Sequence, residues 1–104
     1  MSALSFSLKR LHEISDGDAE IERELLAMFL KTADHCLKQI AAGESWQPAI
    51  HSLKGAVANL GIDPLYQACL VVEYNEPQGE PRSAFLADIA DTMREITEYL
   101  AGNG

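Results

Sequence analysis

The stretch AIHSLKGAVANLG, residues 49–61, combines the pattern of an amphipathic helix with a glycine in the helix interior. With His51 set at zero, an advance of about 100° per residue places the apolar side chains between roughly 140° and 260°. They are Ala49, Ile50, Leu53, Ala56, Val57 and Leu60. His51 therefore faces away from the apolar side, and Lys54, Gly55 and Ala58 lie beside it on the outer face at about 300°, 40° and 340°.

Gly55 costs a helix interior about 1 kcal/mol relative to alanine. A missing side chain beside His51 lets the backbone of another molecule approach the imidazole. Imidazole is nucleophilic near neutral pH and forms covalent intermediates, and Lys54 supplies a mobile cation for an incoming phosphoryl group. We therefore predict that His51 is an accessible nucleophile, whereas His12 and His35 lack such neighbours and are expected to be ordinary residues.

Apolar residues recur at helical spacing along the chain, and no stretch has the sustained alternation of a β-strand. We predict a short first helix near residues 4–14, which ends at the turn SDGD. A long second helix follows, with Asp18 as its N-cap and Gly43 at its end. The predicted apolar stripe of the first helix is Leu4, Leu8 and Leu11, and that of the second is Ile21, Leu25, Met28, Phe29, Thr32, Cys36, Leu37 and Ile40.

Capping residues predict two further helices in the middle of the chain. Ser45 is the expected N-cap of the third helix, which has Pro48 in its first turn and closes at Gly61. The fourth helix begins in DPLYQACLVVEY, with Asp63 as its cap and Pro64 at its first position. The apolar stripe of the fourth helix is Leu65, Ala68, Cys69 and Val72.

The segment NEPQGEPRS, residues 75–83, separates the fourth helix from a last helix over about residues 83–100. The apolar seam of this last helix is Leu86, Ile89, Met93, Ile96 and Leu100. Helices that each have one apolar face pack most simply as an all-α antiparallel four-helix bundle with the short N-terminal helix as a cap. We expect one domain over residues 1–104, with its core at about 4–100.

Composition excludes several classes of protein. The longest apolar run, LLAMFL, is far below the roughly 20 residues of a membrane span, and no signal-peptide layout follows Met1, so a cytoplasmic protein is expected. A net charge of -8 disfavours nucleic acids and anionic membranes as partners. Cys36 and Cys69 are not spaced as metal ligands, so they are expected to be reduced core thiols. The carboxylates are scattered along the chain, so no metal site is predicted.

At the third helix the sequence resembles the histidine-containing phosphotransfer (HPt) domain. The family signature H-x-L-K-G-x5-G is matched by His51, Leu53, Lys54, Gly55 and Gly61. Further matches are Trp46, Ala49, Leu65, Ala68, the VVE that ends at Glu73 and the GD before the second helix. The resemblance covers roughly residues 4–100.

The resemblance implies that His51 accepts a phosphoryl group, at its outer ring nitrogen, from the aspartate of one receiver domain and passes it to another. It implies that Lys54 binds the phosphoryl oxygens and that Gly55 gives the receiver access. A polar residue near the histidine orients its ring in the family, and Gln47 is the candidate here. The expected receiver-docking residues are Gln47, Pro48, Ala58 and Ile62, the last placed at about 20° on the outer face.

The partners implied are receiver domains of a hybrid histidine kinase and of response regulators. The chain has no P-loop or kinase glycine loop, so we expect a carrier and not an ATP-dependent kinase. No cofactor is expected on this chain, and the Mg²⁺ that phosphoryl transfer uses is expected from the receiver. The apolar stripes are accounted for by one bundle, which favours a monomer.

Three other functions compete with this interpretation. The same bundle could serve as a non-catalytic adaptor that binds or sequesters a signalling partner. A histidine-kinase dimerisation helix pair also exposes a histidine, but that family follows it with an acidic residue and a later proline, unlike HSLKG. A hydrolase is disfavoured because the sequence has no Ser/His/Asp or Cys/His grouping.

Overall fold

The computed structural model describes residues 8–103. This part of the chain contains five α-helices and no β-strand, which confirms the all-α prediction. The helices are α1 (Leu8–Ser15), α2 (Ala19–Ala41), α3 (Trp46–Leu60), α4 (Asp63–Val72) and α5 (Glu80–Asn103). The first part of the predicted first helix, with Leu4, lies outside the described residues.

The helices contact one another around a shared apolar core. Helix α2 packs against α3 and α5, α4 packs against α3 and α5, and α1 lies on α2 and α3. The largest fully buried side chains come from all five helices and from the α3–α4 junction, and they include Leu11, Phe29, Ile50, Ile62, Cys69 and Ile89. Helix α3 is therefore in contact with three other helices, and its outer face is fixed by the packing of its inner one.

The buried face of α2 differs from the predicted stripe. Ile21 and Met28 are 42% and 64% exposed, so their assignment to the core is wrong. The buried row instead consists of Glu22, Leu26, Phe29, Ala33, Cys36 and Ile40. Two adjacent apolar rows run along this 23-residue helix, and packing against α3 and α5 selects one of them.

The ends of α2 and α3 largely follow the predicted caps. Asp18 Oδ1 accepts hydrogen bonds from the backbone N–H groups of Glu20 and Ile21, at 2.9 and 3.1 Å. Ser45 occupies the N-cap position of α3, although its side chain makes no capping hydrogen bond. Gly61 ends α3 in the left-handed conformation, with φ of 65°.

Two predicted helix starts are displaced. The N-cap of α4 is Ile62, so Asp63 is the first helical residue and not the cap, because the left-handed turn at Gly61 brings the chain back into the core one residue earlier. Helix α5 begins at Glu80, three residues before the predicted start. Pro81 is compatible with this because the first turn of a helix needs no intrahelical N–H donor.

Gly61→Ala should lower the free energy of unfolding by more than Gly43→Ala. Both glycines have positive φ, where a Cβ costs roughly 1–2 kcal/mol. A Cβ at Gly61 would in addition overlap Cγ of Arg10, whereas a Cβ at Gly43 would meet nothing within 4 Å. Urea denaturation of the two variants measures the difference, and equal losses would show that Arg10 gives way freely.

Candidate phosphoryl-acceptor site

His51 projects from the outer face of α3, as predicted, with 67% of its side chain exposed. Its Nδ1 lies 3.0 Å from Oε2 of Glu73, which follows the last residue of α4. Glu73 is only 2% exposed. One nitrogen of the ring is thus fixed against a buried carboxylate of a neighbouring helix, and the ring itself lies at the surface.

Lys54 contacts the other oxygen of the same carboxylate. Its Nζ lies 2.7 Å from Oε1 of Glu73, and only 20% of its side chain is exposed. Lys54 and His51 are three residues apart on α3 and therefore lie on one face of the helix. The prediction of a mobile cation is wrong for this form of the protein, because Lys54 is held in an ion pair.

The three groups form one electrostatic unit. The ion pair with Lys54, and after it the contact with His51, hold the pKa of Glu73 below its ordinary value although burial raises it. The same ion pair raises the pKa of Lys54. Near neutral pH the carboxylate and the ammonium are both ionised, and with a neutral imidazole the unit has no net charge.

This arrangement determines which ring nitrogen can react. An ionised carboxylate only accepts hydrogen bonds, so a neutral His51 donates Nδ1–H to Glu73. The lone pair of the neutral ring then resides on Nε2, the nitrogen away from that contact. A fixed tautomer with its unprotonated nitrogen outward is the form that an imidazole nucleophile requires.

Gly55 lies on the exposed part of α3, next to Lys54. A Cβ added at this position would meet nothing within 4 Å outside its own helix, so packing within the protein does not require a glycine there. Gly55 also lines a groove between α2 and α3, together with Met28, Thr32 and Ser52 among others. The space beside the glycine is thus open to solvent.

The predicted docking residues have different outcomes. Gln47, Pro48 and Ala58 are exposed, as expected for the outer face. Ile62 is fully buried, so its placement on that face is wrong. The projection of about 100° per residue ends with α3, because Gly61 leaves the helical conformation before Ile62 is reached.

Among the described residues, the hydrogen bond of the His51 ring is to Glu73 and not to Gln47. From the sequence alone, Glu73 is only a match to the family pattern, and the carboxylates are expected to be scattered surface groups. A signal was present, since Leu65, Cys69 and Glu73 recur every four residues along α4. A carboxylate that continues a buried stripe predicts an internal partner.

A second histidine–carboxylate contact lies at the junction of α1 and α2. Nδ1 of His12 contacts Oε2 of the buried Glu22, and Oγ of Ser15 donates to the same oxygen at 3.2 Å. His12 therefore has a partner that its sequence context did not indicate, whereas His35 is simply exposed. The ion pairs among residues 8–103 include none between Glu22 and a lysine, which distinguishes this pair from the site on α3.

Comparison with protein families identifies the fold that carries this site. The family model described as "Hpt domain" matches residues 24–101, about three quarters of the chain. The chain belongs to the HPt domain family. The matched range includes His51, Lys54, Gly55 and Glu73, and it leaves out α1. No significant match was found among curated proteins or among solved structures.

Membership of the HPt family implies histidine phosphotransfer in a two-component phosphorelay, and it implies interaction with response-regulator receiver domains. HPt domains are phosphotransfer carriers and generally not kinases. Within residues 8–103, no helix is long and apolar enough to cross a membrane. The same residues contain no group of three or more His, Cys, Asp or Glu side chains placed to hold a metal ion.

Glu73→Gln should destabilise the protein at neutral pH but not in strong acid. Because the folded-state pKa of Glu73 is lowered, the ionised carboxylate contributes its full stability above the unfolded-state value, about 4.3. That contribution is lost as the pH falls through the lower folded-state value. Thermal melts from pH 7 to pH 2 should therefore show a gap in melting temperature between wild type and variant that begins to narrow below the unfolded-state pKa of about 4.3 and narrows further as the pH falls.

Glu98→Gln is the matched control, because Glu98 is an exposed carboxylate of α5. Its melting temperature should follow that of the wild type throughout the pH range. A gap for Glu73→Gln that stays constant down to pH 2 would contradict the ionised state of Glu73 in the folded protein.

Proposed function

We propose that the protein is a phosphorelay carrier that accepts a phosphoryl group on His51 from one receiver-domain aspartate and passes it to another. The observation that carries the proposal is the contact of an exposed imidazole, through Nδ1, with a buried carboxylate that also binds Lys54. This contact directs the Nε2 lone pair towards an incoming partner.

In the forward step, Nε2 of His51 attacks the phosphorus of an aspartyl phosphate. The bond between phosphorus and the aspartate oxygen breaks, and the receiver carboxylate leaves with the bonding electrons. The imidazole, now bonded at Nε2, retains the Nδ1 proton and becomes cationic, and Glu73 neutralises that charge through the existing contact. Reversal of the same step on a second receiver returns His51 to its starting state.

Lys54 has two roles in this proposal. In the free protein it neutralises Glu73 at 2.7 Å. Once the His51 ring is cationic, Glu73 neutralises the ring. The Lys54 ammonium is then available to the phosphoryl oxygens, because Lys54 lies one turn from His51 on the same face of α3. Phosphoryl transfer depends on such positioning and charge neutralisation, and the Mg²⁺ that completes it is proposed to be held by the receiver.

The charge distribution favours docking of an acidic receiver pocket on α3. The chain has 16 acidic residues, yet none of the 15 residues of α3 is Asp or Glu. An acidic protein thus presents a helix without negative charge at the site where an acidic partner must approach. Like-charge contacts, which would slow association, are avoided there.

Two exposed side chains with large apolar parts lie beside the site. Met28 lines the groove beside Gly55 and is 64% exposed. Tyr74, the residue after Glu73, is 70% exposed. We assign receiver docking to these residues together with Gln47, Pro48 and Ala58, in place of the buried Ile62.

The remaining expectations are part of the same proposal. The contacts of α2 with α3 and α5, and of α4 with α3 and α5, support an antiparallel four-helix bundle to which α1 is added. We propose that residues 1–104 form one such domain and that it acts as a cytoplasmic monomer. It would carry phosphoryl groups without phosphorylating itself from ATP.

His51→Gln should abolish phosphoryl acceptance and leave the melting temperature nearly unchanged, because the side chain is largely outside the core. The assay mixes wild type and variant with a panel of radiolabelled phosphorylated receivers and Mg²⁺ and follows the label on a gel. Label that is stable in base and labile in acid identifies a phosphoramidate. His35→Gln, which replaces an exposed histidine of α2, should accept label like the wild type.

If His51→Gln is labelled as fast as wild type, His51 is not the acceptor. If no receiver labels the folded wild type, the protein acts as a binding adaptor and not as a carrier.

A larger side chain at residue 55 should slow phosphoryl transfer without destabilising the fold. Gly55→Ala should raise the free energy of unfolding by about 1 kcal/mol, because the new Cβ meets nothing and alanine is the better helix former. Gly55→Gln should also fold well, yet it should transfer at least tenfold more slowly because its side chain blocks the partner, a barrier increase of about 1.4 kcal/mol. Ala90→Gln, at an exposed position of α5, is the control for added bulk and should transfer like the wild type. Normal transfer by Gly55→Gln would contradict the role of the glycine.

A further inference from the structure

Trp46, the first residue of α3, makes a hydrogen bond to the end of α4. Its Nε1–H donates to the carbonyl oxygen of Val72 at 2.7 Å, and the residue is 6% exposed. Val72 is the last residue of α4 and directly precedes Glu73. The last carbonyl groups of a helix have no intrahelical donor, so the indole supplies a partner that α4 itself lacks.

The indole ring is held in place by the start of α5. The rings of Trp46 and Phe85 lie 5.7 Å apart at an angle of 52°, and the guanidinium of Arg82 lies 4.7 Å above the indole. Arg82 is itself ion-paired with Glu76. Aromatic and cation–π contacts of this kind fix the orientation of the ring, and therefore the direction in which its N–H points.

The hydrogen bond between Trp46 and Val72 lies next to the phosphoryl-acceptor site. Trp46 and His51 belong to the same helix, about one and a half turns apart. Val72 and Glu73 are consecutive on the other side of the α3–α4 contact. Beyond Glu73 the chain has no regular structure until α5 begins at Glu80. The backbone hydrogen bonds of α4 therefore do not continue past this end of the helix.

We infer that Trp46 is a positioning residue that, through its hydrogen bond to Val72, holds Glu73 under His51 and so fixes the tautomer of the imidazole. N–H···O hydrogen bonds span about 2.7–3.2 Å, so a movement of the α4 end by a few tenths of an ångström is sufficient to take the 3.0 Å contact between Glu73 and His51 out of this range. The effect on transfer rests on the proposed function, whereas the effect on the tautomer does not.

The test removes the indole N–H and keeps the ring. Trp46 is the only tryptophan of the chain, so growth of a tryptophan auxotroph on benzothienylalanine replaces this residue alone and exchanges N–H for sulfur. The ¹⁵N shifts of the His51 ring, recorded at a pH where the ring is neutral, report the tautomer. We expect the Nδ1–H form to dominate in wild type and to lose population to the Nε2–H form in the analogue protein.

Transfer kinetics provide a second measurement on the same samples. Loss of one hydrogen bond of about 1 kcal/mol in the positioning of the site predicts roughly a fivefold lower rate of label transfer. Ile96→Val is the control for packing, because it removes buried apolar volume from α5 eleven residues beyond Phe85 and leaves the indole and the ring that packs against it in place. It should lower the melting temperature while the tautomer and the rate remain those of the wild type.

Unchanged His51 shifts in the folded analogue protein would overturn the inference, as would an equal tautomer change in Ile96→Val. If wild type accepts no label but the tautomer changes as expected, the proposed function fails and the positioning role stands.

Hydrogen exchange of the wild type tests the inference even if the analogue protein does not fold. The backbone N–H of Glu73 donates to the carbonyl oxygen of Cys69 at 2.9 Å. This amide and the Trp46 indole N–H should exchange through the same local opening and with similar protection. An indole that opens much more often than this amide would overturn the inference.

Discussion

The ion pair between Glu73 and Lys54, with His51 on the second oxygen of the same carboxylate, is the interaction on which the site depends. A buried carboxylate without partners is costly, and removing one member of a buried pair leaves an uncompensated charge. Here both partners come from one face of α3, at positions i and i+3, and the carboxylate comes from the end of α4. The exposed histidine is therefore positioned by the same interaction that makes the buried charge tolerable.

The features around this interaction have consistent physical roles. The inner face of α3 packs against α2 and α4 and so fixes the outer face, where His51 and Gly55 are accessible. The absence of a side chain at Gly55 has no cause within the described part of the protein, since a Cβ there would meet nothing. The cost of that glycine to the helix is understandable if a second protein occupies the space. Membership of the HPt family supplies the class of that partner.

Local features of the sequence were sufficient to predict much of this structure. Helical periodicity placed His51 and Gly55 on the outer face of α3, and capping chemistry placed Asp18 and Gly61 at helix ends, because each of these depends only on neighbouring residues. The signature H-x-L-K-G-x5-G at His51 was also sufficient to predict the family. The assigned roles of His51, Lys54 and Gly55 in transfer stay predictions.

The features that the sequence did not predict depend on contacts between helices. Glu73 meets His51 across 22 positions of the chain, and periodicity within α4 alone does not name that partner. Met28 was placed in the core because α2 carries two apolar rows, and the choice between them is made by the neighbouring helices. Ile62 was projected as though α3 continued through it, whereas a single left-handed glycine ends the helix before that point.

In the proposed mechanism Glu73 holds Nδ1 of His51 and leaves Nε2 as the nucleophile, so the decisive observation is which ring nitrogen is bonded to phosphorus. Wild-type protein labelled with ¹⁵N is phosphorylated by a cognate phosphorylated receiver and examined by ¹H, ¹⁵N and ³¹P NMR. We expect phosphorus bonded to Nε2 of His51, with Nδ1 still protonated against Glu73. Phosphorus bonded to Nδ1 would show that Glu73 does not select Nε2 as the nucleophile.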